Sequence, residues 1–292
     1  MKDQILWTAS VTPFDSTGLK LDYASFEACL KRQEQAKNGV VLFGSTGEGL
    51  SLSLDERREL LSLAMGLKLN TPIMVGVPSH NLKEALSFMS FCREFPIASY
   101  LLTTPIYTKP GILGQTAWFE TLLNEADKPV MIYNNPGRSA MKLHTETLKN
   151  LCHHKNWWAL KDSDTLEAAQ EHKIAAPNVA LFGGDDYLMP SMALIGAEGL
   201  VSVIANAWPM ASRRYVEHCL KAQKLNSSLW WQAGLALFSA SNPIPIKALM
   251  KDIGLIAHDT VRLPLSQKDH QNREVLLKLH DSLADWSGHE LC

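Results

Sequence analysis

The chain has 292 residues, 46% of them hydrophobic and 20% charged, with 28 Lys and Arg against 30 Asp and Glu for a net charge of −2. That length buries one large core, or one core with an appendage, and the balanced, unblocked charge excludes the electrostatic footprint of a nucleic-acid or membrane-surface protein. Five scattered cysteines (Cys29, Cys92, Cys152, Cys219, Cys292), free of C-x-x-C spacing, exclude a disulfide framework and a thiolate zinc site.

Short apolar runs alternate with segments of helical period along most of the chain. A strand is expected over 5–11 and a helix over 22–37, closed by Asn38-Gly39. Val40-Val41-Leu42-Phe43 reads as a second strand, followed by a helix over 54–68, a strand over 72–77 and a helix over 81–93. A fourth strand over 98–102 precedes a helix over 113–125, a fifth over 129–133 precedes a helix over 145–152, and a sixth is expected over 157–160. Helices over 165–174, 186–195 and 209–223 then alternate with strands over 179–182 and 199–203. These strands are continuous apolar runs rather than alternating ones, as in parallel strands covered on both faces. Eight such units in the first 224 residues imply an α/β fold, a closed (β/α)8 TIM barrel over 1–224. The turn Gly44-Ser45-Thr46-Gly47-Glu48-Gly49 does not follow the G-x-G-x-x-G pattern of an open dinucleotide-binding sheet. Beyond it, helices over 226–240, 243–253 and 269–286 define a small C-terminal helical subdomain over 225–292. With no signal-peptide apolar segment after Met1 and no run long enough to span a membrane, a cytoplasmic protein is expected.

In such a barrel the chemistry sits at the carboxyl ends of the strands. The sixth ends Trp157-Trp158-Ala159-Leu160-Lys161, and Asp162-Ser163-Asp164 then reads as a helix N-cap. Burial of an ammonium among apolar neighbours favours the neutral amine, a nucleophile for carbonyl groups. Taken alone, the window favours a lysine that reaches the rim or pairs with Asp162 or Asp164. Other strand ends converge on it. The glycine-rich turn after strand two offers the Ser45 and Thr46 hydroxyls and a backbone nest for a carboxylate. The loop Thr103-Thr104-Pro105-Ile106-Tyr107-Thr108-Lys109-Pro110 is stiffened by two prolines and presents Tyr107. Strand five ends Tyr133-Asn134-Asn135-Pro136-Gly137-Arg138, where a guanidinium matches a carboxylate. Phe182-Gly183-Gly184-Asp185-Asp186 leaves room above strand seven, and strand eight ends near Val201-Ser202-Val203. No metal-ligand cluster is expected at these ends: His153-His154 lies in a loop before strand six and reads as solvated. Trp157-Trp158 and Trp230-Trp231 read as packing residues. An amine for a ketone, a nest for its carboxylate and a tyrosine for proton transfer suit Schiff-base chemistry on a 2-oxo acid.

Five motifs carry a family resemblance: Gly44-Ser45-Thr46-Gly47-Glu48, Tyr133-Asn134-Asn135-Pro136-Gly137-Arg138, Leu160-Lys161-Asp162, Gly184-Asp185-Asp186 and Asn242-Pro243-Ile244-Pro245-Ile246-Lys247. In order and spacing they resemble the dihydrodipicolinate synthase and N-acetylneuraminate lyase family over essentially the whole chain. Arg138, and the Leu263-Pro264 after Arg262, are similar to the synthase branch. The resemblance implies that Lys161 forms a Schiff base with pyruvate, that Tyr133 shuttles protons, and that Ser45 and Tyr107 complete a hydroxyl relay, Tyr107 reaching in from a neighbouring subunit. Thr46, Arg138, Gly184 and Val201 are the implied substrate-binding residues. The implied substrates are pyruvate and aspartate-4-semialdehyde, with no cofactor beyond the covalent adduct on Lys161, in a homo-oligomer built as a dimer of dimers on the route to diaminopimelate and lysine. A lyase of the same superfamily acting on another 2-oxo or sugar acid is the alternative, and a catalytically silent barrel a third reading. Two departures stand out. Ser45 replaces the relay threonine and loses its orienting methyl. The positions that match the feedback-lysine pocket are Leu54, Arg57, His80, Glu84 and Ile106, of which only Glu84 is kept, so weak or absent sensitivity to lysine is expected.

Overall fold

The computed structural model describes residues 4–224 and 227–289. Eight parallel strands close into a barrel in chain order: β1 (Leu6–Ala9), β2 (Gly39–Leu42), β3 (Ile73–Gly76), β4 (Ser99–Thr103), β5 (Val130–Asn134), β6 (Trp157–Asp162), β7 (Ala180–Gly183) and β8 (Gly199–Ser202). The helices between them are α1 (Tyr23–Gln35), α2 (Leu54–Gly66), α3 (Leu82–Cys92), α4 (Ile112–Glu125), α5 (Pro136–Ser139), α6 (Thr145–Leu151), α7 (Leu166–Ala175), α8 (Met189–Leu194) and α9 (Pro209–Leu220). Three more follow β8 and α9: α10 (Ser227–Leu237), α11 (Ile244–Asp252) and α12 (Arg273–His289). Among the described residues no helix is long and apolar enough to cross a membrane.

Each strand points alternate side chains inward and outward. Ala9, Val41, Met74, Leu101, Met131 and Phe182 fill the barrel interior together with Trp7 and Val201. Outward residues such as Leu42, Val75, Leu102 and Ile132 join the helices in the larger apolar layer. Closure depends on a small residue at one place: a Cβ on Gly39 would stand 2.4 Å from the Trp7 ring, so a larger side chain in β2 would expel the indole that fills the barrel beside β8.

Local chemistry sets the helix starts. Asp22 accepts from the Ser25 amide ahead of α1, and Ser53 with Glu56 forms a reciprocal capping box on α2. Ahead of α7 the cap is Thr165, which accepts from the Ala168 amide, and not the Asp-Ser-Asp triplet read as a cap from the sequence. The reason lies in β6, which runs two residues further than expected. Lys161 pairs with Tyr133 and Phe182, and Asp162 with Asn134 and Gly183. The expected helix over 186–195 is a 3-10 turn at Asp186–Leu188 followed by α8, because the Asp186 carboxylate turns inward to the Val203 amide and Ser202 hydroxyl.

The C-terminal helices enclose no separate core. Trp230, Leu237, Leu249, Leu276 and Leu283 share one apolar cluster with Leu6 of β1 and Leu200 of β8. Tyr215 of α9 stacks on Trp230 at 4.3 Å between ring centres, which accounts for the packing role expected of that indole.

Candidate active site

Alternation along β6 decides where its polar residues go. Ala159 and Lys161 face the barrel interior, whereas Leu160 and Asp162 face the surrounding helices. Asp162 therefore meets α7, with Oδ2 2.6 Å from His172 Nδ1 and Oδ1 accepting from the Asn134 amide at 2.9 Å. Lys161 is left without a carboxylate: among the described residues it has no ion pair, so pairing with Asp162 or Asp164 is excluded. Its ammonium stands instead 4.0 Å from the centre of the Tyr133 ring on the neighbouring strand.

Lys161 projects into a cavity of about 30 Å³, also lined by Ser45, Thr46, Tyr133, Arg138 and Asp185. A cleft of about 420 Å³ opens above it, sharing Ser45, Tyr133 and Arg138. The inner space holds little more than a water molecule's worth of atoms, while the outer cleft has the size of a small-molecule site. Gly184 sets the geometry between them. A Cβ there would lie 1.9 Å from Ser163 Oγ and 3.0 Å from Lys161 Cε, so only glycine lets the lysine stem pass.

Tyr133 is buried, and its hydroxyl accepts from Asn135 Nδ2 at 2.7 Å. Burial pushes the phenol up, but the positive charge of Lys161, the Asn135 donor and the Arg138 guanidinium together hold it below its ordinary value. Burial dominates at Asp185, whose carboxyl is raised above the usual range despite Lys161 nearby.

The glycine-rich turn after β2 is held from several sides. Gly49 and Gly76 both back onto the Phe43 carbonyl, where a Cβ would come to 2.0 and 2.9 Å, and Phe43 itself takes a left-handed φ of +59°. That conformation is costly for an aromatic residue and persists because its surroundings enforce it. Thr12 Oγ1 donates to the Gly47 carbonyl at 2.7 Å, and Glu48 forms a buried ion pair with Lys247 of α11. Thr46 Oγ1 accepts from Asn242 Nδ2 at 2.9 Å, which leaves its own proton free to donate. The Asn242 carbonyl in turn accepts from Arg138 Nη2 at 3.0 Å.

Six of the eight residues singled out from sequence thus meet at one place: Lys161, Tyr133, Ser45, Thr46 and Arg138 line it, and Gly184 shapes it. Val201 does not. It lies in the interior layer below, and Val203, just past the end of β8, lines the cavity instead. Tyr107 is 88% exposed, with a left-handed φ of +65°, and does not line the cavity of its own chain. Asn242, Asn135 and the Glu48–Lys247 pair were not singled out. Asn242 and Lys247 sit in a motif noted only for its resemblance, and their reach to Thr46 and Glu48 crosses 196 and 199 residues of sequence.

The dihydrodipicolinate synthetase family matches residues 3–282. A curated relative from Wolbachia pipientis wMel, named 4-hydroxy-tetrahydrodipicolinate synthase, is 50% identical over 98% of each chain. Two solved structures superpose over nearly the whole molecule. The chloride-inhibited dihydrodipicolinate synthase from Acinetobacter baumannii complexed with pyruvate has a TM-score of 0.90 at 27% identity, covering 96% of this chain and 99% of that one. The lysine-bound enzyme from Cyanidioschyzon merolae has a TM-score of 0.89 at 28% identity, covering 97% and 99%. With the family matched over residues 3–282 and a relative 50% identical along 98% of each chain, the chain belongs to the dihydrodipicolinate synthetase family.

Proposed function

We propose that this chain condenses pyruvate with aspartate-4-semialdehyde as a 4-hydroxy-tetrahydrodipicolinate synthase, and the observation that carries the reading is Lys161. It is an inward amine with no ion pair among the described residues, facing a tyrosine whose proton is made easier to lose. The Lys161 amine attacks the pyruvate ketone, and loss of water gives an imine. Removal of a methyl proton gives an enamine, whose carbon adds to the aldehyde of the second substrate. The amine of that substrate then adds to the imine carbon and expels Lys161, closing the ring. Tyr133 is the group that moves protons through these steps, and Ser45 passes them outward. The Thr46 hydroxyl donates to the pyruvate carboxylate, and Arg138, at the mouth of the cleft, holds the carboxylate of the incoming aldehyde. The imine is itself the electron sink, so the reaction asks for no cofactor.

The exposure of Tyr107 supports an assembly in which it enters the relay of a neighbouring copy, in a dimer or a dimer of dimers. The four described cysteines are unpaired, which supports a cytoplasmic location. Borohydride reduction in the presence of pyruvate tests the chemistry: a carboxyethyl adduct on Lys161 is expected, and its absence would leave a silent barrel. An Arg138→Ala chain should trap pyruvate as before and lose turnover with aspartate-4-semialdehyde. Equal loss of both, or better turnover with a sugar acid, would favour another lyase of the superfamily.

A further inference from the structure

At the end of the barrel opposite the cleft, the loop from α6 to β6 carries His153 and His154 against Glu120 on α4. Their outer ligand atoms cluster: both imidazole Nε2 atoms stand 3.9 Å from Glu120 Oε1, and all three lie within 4.8 Å of one another. The two residues are not alike. His153 is exposed, as expected from sequence, but only 9% of the His154 side chain is, and its Nε2 is buried without a hydrogen-bond partner. A buried ring nitrogen aimed at a carboxylate yet too far to bond it wants something between them.

The surroundings prepare the same atoms. His153 Nδ1 stands 2.9 Å from the Asn150 carbonyl. A carbonyl only accepts, so Nδ1 carries the proton and Nε2 of the neutral ring presents its lone pair towards Glu120. The His154 backbone is bonded on both sides, its amide to the Leu151 carbonyl and its carbonyl from the Trp157 amide. Asn150 reaches Thr116, one turn before Glu120 on α4, and Asn156 reaches the carbonyl of Ala126 just past that helix. The loop is thereby pinned to α4 on both flanks of the histidine pair.

We propose that Glu120, His153 and His154 form a binding site for a divalent transition-metal ion, with an open position for water. Two imidazoles and one carboxylate select zinc or its neighbours over calcium and magnesium, which take oxygen ligands. Ligands on one tetrahedral zinc ion are about 3.4 Å apart, given bonds of about 2.0–2.1 Å. The present spacing closes to that value by side-chain rotation of Glu120 and His153, both open to solvent, onto the fixed His154. The ion would clamp α4 to the loop that enters β6.

Full-length chain, stripped with chelator and dialysed against Zn²⁺, should retain one equivalent, and Co²⁺ in its place should broaden the His153 and His154 imidazole resonances selectively. Glu120→Gln, His153→Ala and His154→Ala should each weaken Zn²⁺ at least tenfold, while Cys152→Ser changes nothing. Folding of every variant is checked by the pyruvate adduct on Lys161, at the far end of the barrel. Zinc retention equal in Glu120→Gln, His153→Ala and the unaltered chain, no retained metal, or Co²⁺ broadening at other histidines would each overturn the proposal.

Discussion

Replacing Lys247 by methionine tests whether the turn that carries Ser45 and Thr46 is held in place from α11. The Lys247 and Glu48 side chains are 0% and 1% exposed, so neither charge falls back on water when the other is removed. Lys247 Nζ also donates to the Thr260 carbonyl at 2.8 Å, and the ammonium stands 4.3 Å from the Phe14 ring centre. Methionine fills much of the same volume but leaves Glu48 Oε1 and the Thr260 carbonyl without their donor. Breaking a buried pair from one side costs about 3–5 kcal/mol. Glu48 Oε2 keeps the Arg262 amide at 2.8 Å, which places the expected loss at the lower end, about 3 kcal/mol. In a chain of this size that lowers the melting midpoint by on the order of 10 °C. The double variant Glu48→Gln with Lys247→Met removes both charges and should recover much of the loss, because a neutral pair costs little to bury. Urea unfolding of wild type, both single variants and the double closes the cycle, and pyruvate KM should rise in Lys247→Met as the turn loosens. A Lys247→Met chain melting within about 2 °C of wild type, or a double variant no more stable than the single one, would refute the reasoning.

At Gly184, alanine should cut the borohydride-trapped pyruvate adduct at least tenfold with a small change in melting, because its Cβ collides with Ser163 Oγ and Lys161 Cε; mass analysis of the Lys161 peptide reads this directly. The buried His172 bonds the Asp162 carboxylate through Nδ1 and the Leu143 carbonyl, at 3.1 Å, through Nε2, so both ring nitrogens donate. Burial alone would lower its pKa, but the Asp162 hydrogen bond and charge outweigh it and the pKa is raised. A raised folded-state pKa contributes stability that is complete below the unfolded value of about 6.5 and lost as pH climbs through the folded one. The stability gap between wild type and His172→Gln should therefore be widest at acid pH and narrow with rising pH; a gap that widens instead would contradict the assignment. Turnover should be unaffected by millimolar lysine. Arg57 lies buried over the Phe88 ring, and Glu84 is the one acidic group kept at those positions; strong inhibition at sub-millimolar lysine in the standard coupled assay would show otherwise.

The barrel was legible because every buried parallel strand writes itself as an apolar run, and the runs recur with helices between them. What the runs conceal is parity and height. A register shift near Val130 pairs Val130 with Trp157 but Met131 with Ala159, so which of Leu160, Lys161 and Asp162 faces inward cannot be counted from the strand's first residue. Val201 lies within β8 and fills the barrel, whereas Val203 lies just past the strand's end, where the backbone has turned helical, and lines the cavity. The signal that pointed to Lys161, a lysine among apolar residues, is present as strongly in Ile244-Pro245-Ile246-Lys247-Ala248-Leu249-Met250. Only three dimensions separate the two: Lys247 has Glu48 and is structural, whereas Lys161 has no ion pair among the described residues. His154 was misjudged for a related reason, since a short loop between polar residues does not announce that α4 covers it.

The bonds from Asn242 to Thr46, from Lys247 to Glu48 and from Arg262 to Glu48 span 196, 199 and 214 residues. A ribosome adding about 5–20 residues per second takes roughly 10–40 s to travel that distance. The glycine-rich turn is therefore translated well before the residues that complete it. Until α11 arrives, Glu48 has no cation to settle against and Thr46 no amide to orient it, so the turn beside Lys161 takes its final shape only once the chain through Arg262 has been made.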